Sequence, residues 1–239
     1  KATFTAYSRL AQFGVSLEQV NNMASALVSE FGSLDDFSSG LLYDATKWSK
    51  AFNIAESDMV GFLDLLTRGL GKTNKQTNEF VNTLVRKARG AGVSVNHVMQ
   101  DVSKHTSFIA MYTDRSGKNI ARAAVYAKRL GVSLSEVESI SNRFLELDSA
   151  LESTMELNLV VGTKFNAMTL HRLAMTGDLV GLQDELLSQF SIQGVWESKN
   201  ALQRKIMAEQ LGVSADSLAK MVYQYRKYGT MLDKDIEKN

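Results

Sequence analysis

The chain has no proline and no cysteine among its 239 residues. Proline lacks a backbone N–H and clashes with the preceding helical turn, so its absence favours a nearly continuous helical chain. It also removes a residue that is favoured in β-turns. Without cysteine the chain can form no disulfide, and thiol nucleophiles and cysteine-ligated zinc or iron–sulfur sites are excluded.

The chain also has no large excess of charge of either sign and no long apolar run. The 27 basic and 26 acidic residues leave a net charge of +1, which gives no general attraction to nucleic acid or to an anionic membrane. No apolar stretch reaches the length of a transmembrane helix, and none has the pattern of a signal peptide. Since the first residue is Lys1 rather than methionine, we expect a piece of a longer protein.

A Gly-Val-Ser triplet recurs four times along the chain. Glycine ends a helix because it takes left-handed backbone angles at little cost, and serine begins the next helix because its hydroxyl caps a free N–H. The valine between them can pack on the residue four positions into the new helix. Each triplet therefore predicts a sharp corner between two helices. The four corners are Gly14-Val15-Ser16, Gly92-Val93-Ser94, Gly131-Val132-Ser133 and Gly212-Val213-Ser214.

Apolar residues at steps of three and four predict one long helix over 133–161. They form a single stripe: Leu134, Val137, Ile140, Phe144, Leu147, Leu151, Met155 and Leu159. About two heptads of this stripe follow the spacing of a coiled-coil seam. A helix packed in a globular core has the same pattern, and the sequence leaves both interpretations open.

The fold class predicted from these patterns is all-α: a multi-helical bundle of helix–corner–helix units with one long helix near 133–161. Other helices are predicted at 17–31, 34–51, 56–69, 74–90, 95–110, 117–130, 164–176, 179–190, 198–211 and 215–228. The segment 70–78 is predicted as a linker and 112–118 as a polar loop. We divide the chain into three helical subdomains, 1–72, 73–161 and 162–239.

Two short motifs suggest ligand sites, but their residue spacing does not allow either site to form. Gly71-Lys72-Thr73 matches the end of a phosphate-binding loop, but Leu66 stands where that loop needs a glycine. His97, Asp101 and His105 share one helical face, yet eight residues span about 12 Å of helix, too far for one ion to reach both imidazoles. His171 stands alone. We therefore predict no metal ligand and no cofactor.

Catalytic patterns are equally absent. The chain has no Gly-x-Ser-x-Gly nucleophile elbow. The acids on the predicted long helix (Glu138, Glu146, Glu152 and Glu156) have the spacing of a solvated face. We predict no catalytic residue and no enzymatic activity; a cell-wall hydrolase is the enzyme class that we weighed.

The segment 208–218 resembles a helix-turn-helix, which makes a nucleic-acid-binding protein the alternative function. Five basic residues flank it and three tyrosines are interleaved: Arg204, Lys205, Lys220, Arg226, Lys227, Tyr223, Tyr225 and Tyr228. A recognition helix reads bases with its first turns. Here the first turn carries Asp216, whose charge is unfavourable near phosphates.

The segment 165–222 has the most specific sequence pattern of the chain, and a related segment lies at 122–133. The first includes Gly177-Asp178-Leu179, a further helix stop followed by a cap, and the fourth Gly-Val-Ser corner. These stretches resemble part of the tail tape-measure proteins of contractile-tailed bacteriophages, and the resemblance extends over about 120 residues of the chain. One departure is that the chain shows no long uninterrupted coiled coil.

The resemblance implies a virion protein of the phage tail lumen or tail tip, made in the host cytoplasm. Such a protein fixes the length of the tail tube, scaffolds tube assembly on the baseplate and takes part in genome ejection. Its implied partners are tail-tube and baseplate-hub or tail-tip proteins and copies of itself, with a trimer expected. Genomic DNA would be passing cargo, and the host membrane could be contacted on ejection.

Overall fold

The computed structural model describes residues 2–33, 38–114, 116–191 and 195–228. Within these ranges every regular element is helical and no strand occurs, which confirms the all-α prediction. The helices are α1 Ala2–Leu10, α2 Leu17–Phe31, α3 Ser39–Phe52, α4 Glu56–Asp64, α5 Asn74–Gly90, α6 Val95–Lys104, α7 Thr106–Tyr112, α8 Lys118–Arg129, α9 Leu134–Leu145, α10 Leu147–Glu156, α11 Ala167–Met175, α12 Leu179–Ser191, α13 Val195–Ser198, α14 Ala201–Leu211 and α15 Ala215–Tyr228. A 3₁₀ turn covers Ala11–Phe13, and π turns cover Leu65–Gly69 and Leu157–Val161.

The contacts of the chain group its residues into two compact units. Unit 1 comprises Lys1–Val85 and Ser94–Met111, and unit 2 comprises Arg86–Val93 and Tyr112–Asn239. The three subdomains that we predicted have other boundaries, and that finer division stays a prediction.

Unit 1 is built around α1 to α4 and α6. Helix α1 packs on α2 and α3, α2 packs on α4, and α6 packs on α3 and α4. Its core contains fully buried residues from these helices, among them Leu10, Leu27, Leu42, Phe62 and Val98. An apolar stripe on each helix therefore faces a shared centre, as helical periodicity requires.

Unit 2 surrounds α12. Helix α12 contacts α8, α9, α11 and α15, and its buried face carries Leu182, Leu186 and Phe190. Phe165 stands edge-on to Phe190 at a ring-centroid distance of 5.3 Å. Most of α8 is buried as well: Ile120, Ala121 and all residues from Ala123 to Ala127.

All four predicted corner glycines have positive φ angles, between 67° and 81°. At the last three corners the N–H of the valine donates to the carbonyl five residues earlier, each at 3.0 Å. Helix ends closed in this way are Schellman motifs. Gly177-Asp178 forms the same motif, with Asp178 N–H donating to Leu173 at 3.0 Å. The corner prediction is confirmed.

The single long helix predicted over 133–161 is instead two helices and a π turn. Glu146 is extended, with φ −89° and ψ 127°, so α9 ends before it and α10 begins after it. The apolar stripe changes environment at this break. Its first four members are buried, whereas Leu147, Leu151, Met155 and Leu159 are exposed. One core helix therefore does not carry the whole stripe.

Two smaller expectations differ from the structure, and two helices were not predicted. The predicted linker 70–78 is helical from Asn74, and the helix predicted at 95–110 is interrupted at His105. Helix α1 and the short α13 are missing from the prediction. Of the helix predicted at 34–51, residues 34–37 lie outside the described residues.

Candidate functional site

An open apolar groove lies between α10 and α11 in unit 2. Its volume is about 680 Å³, and its lining comes from the end of α10, the π turn that follows and the start of α11. Met155 is 68% exposed, Leu159 83% and Met168 58%. Exposed apolar side chains that lie together in one groove are typical of surfaces that bind another molecule. We therefore treat the groove as the candidate functional site.

The groove exists because α10 buries its small residues and exposes its large ones. Ala150, Ser153 and Thr154 face the protein interior, while Leu151 and Met155 face solvent. The interior contacts of α10 need short side chains because α9, α11 and α14 all approach it. The larger apolar side chains are left on the outside.

One polar atom in the groove wall is unusual. Thr154 lines the groove and is 4% exposed, and in the described part of the chain its hydroxyl has no hydrogen-bond partner. The π turn begins three residues later, where Leu157 N–H is shared between the carbonyls of Ser153 and Thr154. π turns within helices are frequent at functional sites.

Asn158 holds the far end of the groove in place. Its side-chain oxygen accepts hydrogen bonds from Phe165 N–H and the Thr163 hydroxyl, both at 2.9 Å, and its amide donates to the Phe165 carbonyl at 2.9 Å. Gln189 accepts a further bond from Lys164 N–H at 2.8 Å. The loop from the π turn to α11 is therefore fixed by side chains, which makes the groove preformed.

The groove lining carries no charged side chain, and the two helices beside it differ in charge. Helix α10 carries exposed Asp148 and Glu152 and no basic residue. Helix α11 carries exposed Arg172 and no acidic residue, and exposed Lys164 precedes it. Met168, Arg172 and Met175 follow helical spacing on one exposed face of α11.

A second, polar pocket of about 230 Å³ lies where α8 and α12 begin. Its acids are engaged in capping. Asp114 accepts from Ser116 and Gly117 backbone N–H groups, and Asp178 accepts from Gly181 N–H at 3.0 Å. Helix starts need such acceptors, so capping explains these carboxylates.

The helix-turn-helix segment packs against α9. The Ser217 hydroxyl donates to Glu136 at 3.1 Å, and Arg143 donates to the Glu209 carbonyl at 3.0 Å. A Cβ added to Gly212 would lie 3.4 Å from the Ser139 carbonyl oxygen. The first turn of α15, which a recognition helix would present to DNA, therefore lies partly against its own protein.

The flanking basic and tyrosine residues are partly engaged inside unit 2. Arg204 donates to the Trp196 carbonyl at 3.1 Å, and Arg226 donates to the Ser191 carbonyl at 3.3 Å. Tyr225 donates to Asp184 at 2.9 Å, and burial together with this carboxylate raises the pKa of the Tyr225 hydroxyl. Tyr223 points outward, 65% exposed.

Local hydrogen bonds and contacts occupy groups of the two ligand-site motifs, Gly71-Lys72-Thr73 and His97/Asp101/His105. Around Gly71-Lys72-Thr73 the Leu70 and Lys72 N–H groups donate to Leu65 and Leu66, so they are turned towards their own chain. Helix α6 ends at Lys104, and His105 Nδ1 lies 2.7 Å from the Asp101 carbonyl oxygen.

His171, the third histidine, contacts the end of α9. Its Nδ1 lies 3.1 Å from the Phe144 carbonyl oxygen, one of the carbonyls left free where α9 stops. It thus has a capping role.

The described residues contain no group of three or more histidine, aspartate or glutamate side chains placed to hold a metal ion. None of the helices in the described ranges combines the length and apolarity that crossing a membrane requires.

Comparison of the chain with protein-family models, curated proteins and solved structures gave no match. Sequence reasoning missed the groove, because the apolar spacing from Leu147 to Leu159 does not show whether that face is buried or exposed.

Proposed function

We propose that this chain is a non-enzymatic structural protein of a bacteriophage tail, of the tape-measure type. The observation that carries the proposal is the preformed apolar groove between α10 and α11, because an exposed apolar surface of this kind is where one protein binds another. The resemblance of 122–133 and 165–222 to tape-measure proteins supplies the class. The groove and α11 lie in or beside the stretch that carries this resemblance.

In this role the chain sets tail-tube length, scaffolds tube assembly on the baseplate or tail tip and takes part in genome ejection. Its partners are tube and baseplate-hub proteins and copies of itself, and DNA passes it as cargo. It works in the tail lumen or tip after synthesis in the host cytoplasm. No residue is assigned a catalytic, cofactor-binding or metal-binding role.

The coding locus and a gene deletion test this proposal. We expect a tail-tube or baseplate gene beside the coding gene. In the phage that carries it, an in-frame deletion of the gene should give particles without tails or with tails of altered length by electron microscopy, and the wild-type gene supplied in trans should restore them. A locus without viral genes, or normal tails after the deletion, would contradict the proposal.

The nucleic-acid-binding alternative has less support. The first turn of α15 contacts α9 through Ser217, and Arg204 and Arg226 donate to carbonyls of their own unit. Phosphate contacts make duplex binding strongly salt-dependent. A titration of duplex DNA at low salt tests this alternative: measurable affinity that falls steeply with added salt would revive it, and no measurable affinity would remove it.

A further inference from the structure

We propose that the α10–α11 groove binds the same groove on a second copy of this chain, around a twofold axis. This names the partner for the surface on which the proposed function rests. The occupant follows from the charges beside the groove, from the row of apolar side chains on α10 and from the fixed shape of the groove.

The charges make the surface complementary to itself. Beside the groove, α10 carries exposed Asp148 and Glu152, α11 carries exposed Arg172, and exposed Lys164 precedes α11. If the twofold axis runs along the groove, α10 of one copy lies over α11 of the other, so the acidic side of each copy faces the basic side of its partner. A twofold axis that runs across the groove would instead place α10 on α10, so acidic side chains would face acidic side chains. Charge complementarity therefore selects one of the two arrangements.

The apolar side chains suit a helix-on-helix contact. Leu147, Leu151 and Met155 stand four residues apart, and such a row forms one of the ridges that pack into the grooves of a neighbouring helix. Met168 lines the opposite wall and Met175 is exposed at the end of α11, and methionine adapts its shape to a partner surface. A contact that uses the same patch on both copies closes on itself and stops at two.

This arrangement differs from the trimer that the resemblance implies. A twofold contact pairs copies through a surface of unit 2 alone. Sedimentation of the chain over a range of concentrations separates the two outcomes, and substitutions beside the groove identify the contact.

The test uses analytical ultracentrifugation of the 239-residue chain and single variants. The wild type should show a monomer–dimer equilibrium by about 100 μM, in the range of a modest interface. Leu151→Glu and Met155→Glu should each weaken association by at least about tenfold. Leu202→Glu is the matched control, since Leu202 is 65% exposed in α14 and does not line the groove, and it should associate like the wild type.

A charge exchange tests the orientation. Glu152→Lys and Arg172→Glu should each weaken the dimer, and the double variant should recover most of the wild-type affinity, because the exchanged charges again face each other. Glu18 is an exposed acid on α2 of unit 1, and Glu18→Lys should leave the affinity of the dimer unchanged. Since all these positions are exposed, each variant should melt within a few degrees of the wild type. If one variant of a pair melts much lower, it is excluded, and the other variant of that pair provides the test.

Several results would overturn the inference. These are a wild-type chain that stays monomeric at about 100 μM, a trimer in place of a dimer, a dimer insensitive to both groove variants, or a double exchange no better than its single variants. Failure here leaves the proposed function testable by the gene deletion. Equally, a groove-dependent dimer from a gene whose deletion leaves tails normal would refute the tail role and keep this contact.

Discussion

Gly131 shows how a single residue sets a corner. Its φ is 81°, and a Cβ at this position would meet only Lys220 Cβ at 3.9 Å, so space is not the constraint. The left-handed backbone is the constraint, because side chains with a Cβ pay for it in steric strain. The sequence identified this residue because glycine before Val-Ser is a signal that acts locally.

We expect Gly131→Val to lower the free energy of unfolding by about 1 kcal/mol or more. The control is Gly61→Ala in α4, where the backbone is helical and an added Cβ meets nothing within 4 Å. That change should raise stability by about 0.5–1 kcal/mol, because alanine is the better helix former. Urea denaturation measures both. An unfolding midpoint unchanged by Gly131→Val would contradict the corner geometry.

Thr154 gives a second prediction for a single side chain. Its buried hydroxyl has no partner within the described residues, so replacing it with the isosteric valine removes an uncompensated polar atom. Thr154→Val should leave stability unchanged or raise it by about 1 kcal/mol. Thr46 is equally buried but donates to the Leu42 carbonyl at 2.8 Å, and Thr46→Val should cost about 1 kcal/mol. Thermal melts compare the two. A clear loss on Thr154→Val would show that the hydroxyl has a function in folding.

Helix starts and ends could be predicted well where glycine and capping residues mark them. Helices α2, α5 and α15 have the predicted bounds, and each follows a serine, threonine or asparagine signal that acts on the neighbouring backbone. Helix α1 was missed because no such signal precedes it. The break at Glu146 was missed because no glycine or proline marks it; the packing of the surrounding helices decides it.

The candidate site could not be predicted from apolar periodicity. That reasoning assumes that large apolar residues face the core, and it holds for α9, where Leu134, Val137 and Ile140 are buried. It fails for α10, whose interior face is Ala150, Ser153 and Thr154. Which face is buried depends on how closely the neighbouring helices approach, and sequence spacing does not contain that distance.

Glu136 ties two corners together. It accepts from the Ser133 N–H at 2.9 Å, from the Ser133 hydroxyl, and from the Ser217 hydroxyl at the start of α15 at 3.1 Å. Burial raises the pKa of Glu136, but these hydrogen bonds outweigh it, so the pKa lies below its usual value. The ionised carboxylate is therefore favoured by folding.

The lowered pKa of Glu136 predicts that the stability of the fold depends on pH. Because the folded pKa is depressed, the contribution of Glu136 is present above the unfolded value of 4.5 and is lost as the pH falls through the folded value. Glu136→Gln should be less stable than the wild type at pH 7, and the difference should shrink below pH 4.5. Denaturation at a series of pH values measures it. Glu152→Gln, at an exposed position, is the control. A difference that is constant with pH would contradict the assignment.

The described residues form two helical units, the chain has balanced charge, and a preformed apolar groove lies on the second unit. Balanced charge gives no general affinity for nucleic acid or anionic lipid. The groove offers apolar contact, with acidic residues beside it on α10 and basic residues beside it on the α11 side, which suits a specific protein contact. On these properties we base the proposal of an assembly component over that of a reader of nucleic acid.

The most direct test of this account is complementation of the gene deletion with groove variants, scored by electron microscopy of the particles. The wild-type gene and Leu202→Glu should restore tails of normal length. The double variant Leu151→Glu/Met155→Glu, made at exposed positions, should fail to restore them although the protein accumulates and folds. Normal tails with the double groove variant would contradict the claim that the groove is the functional surface of this chain.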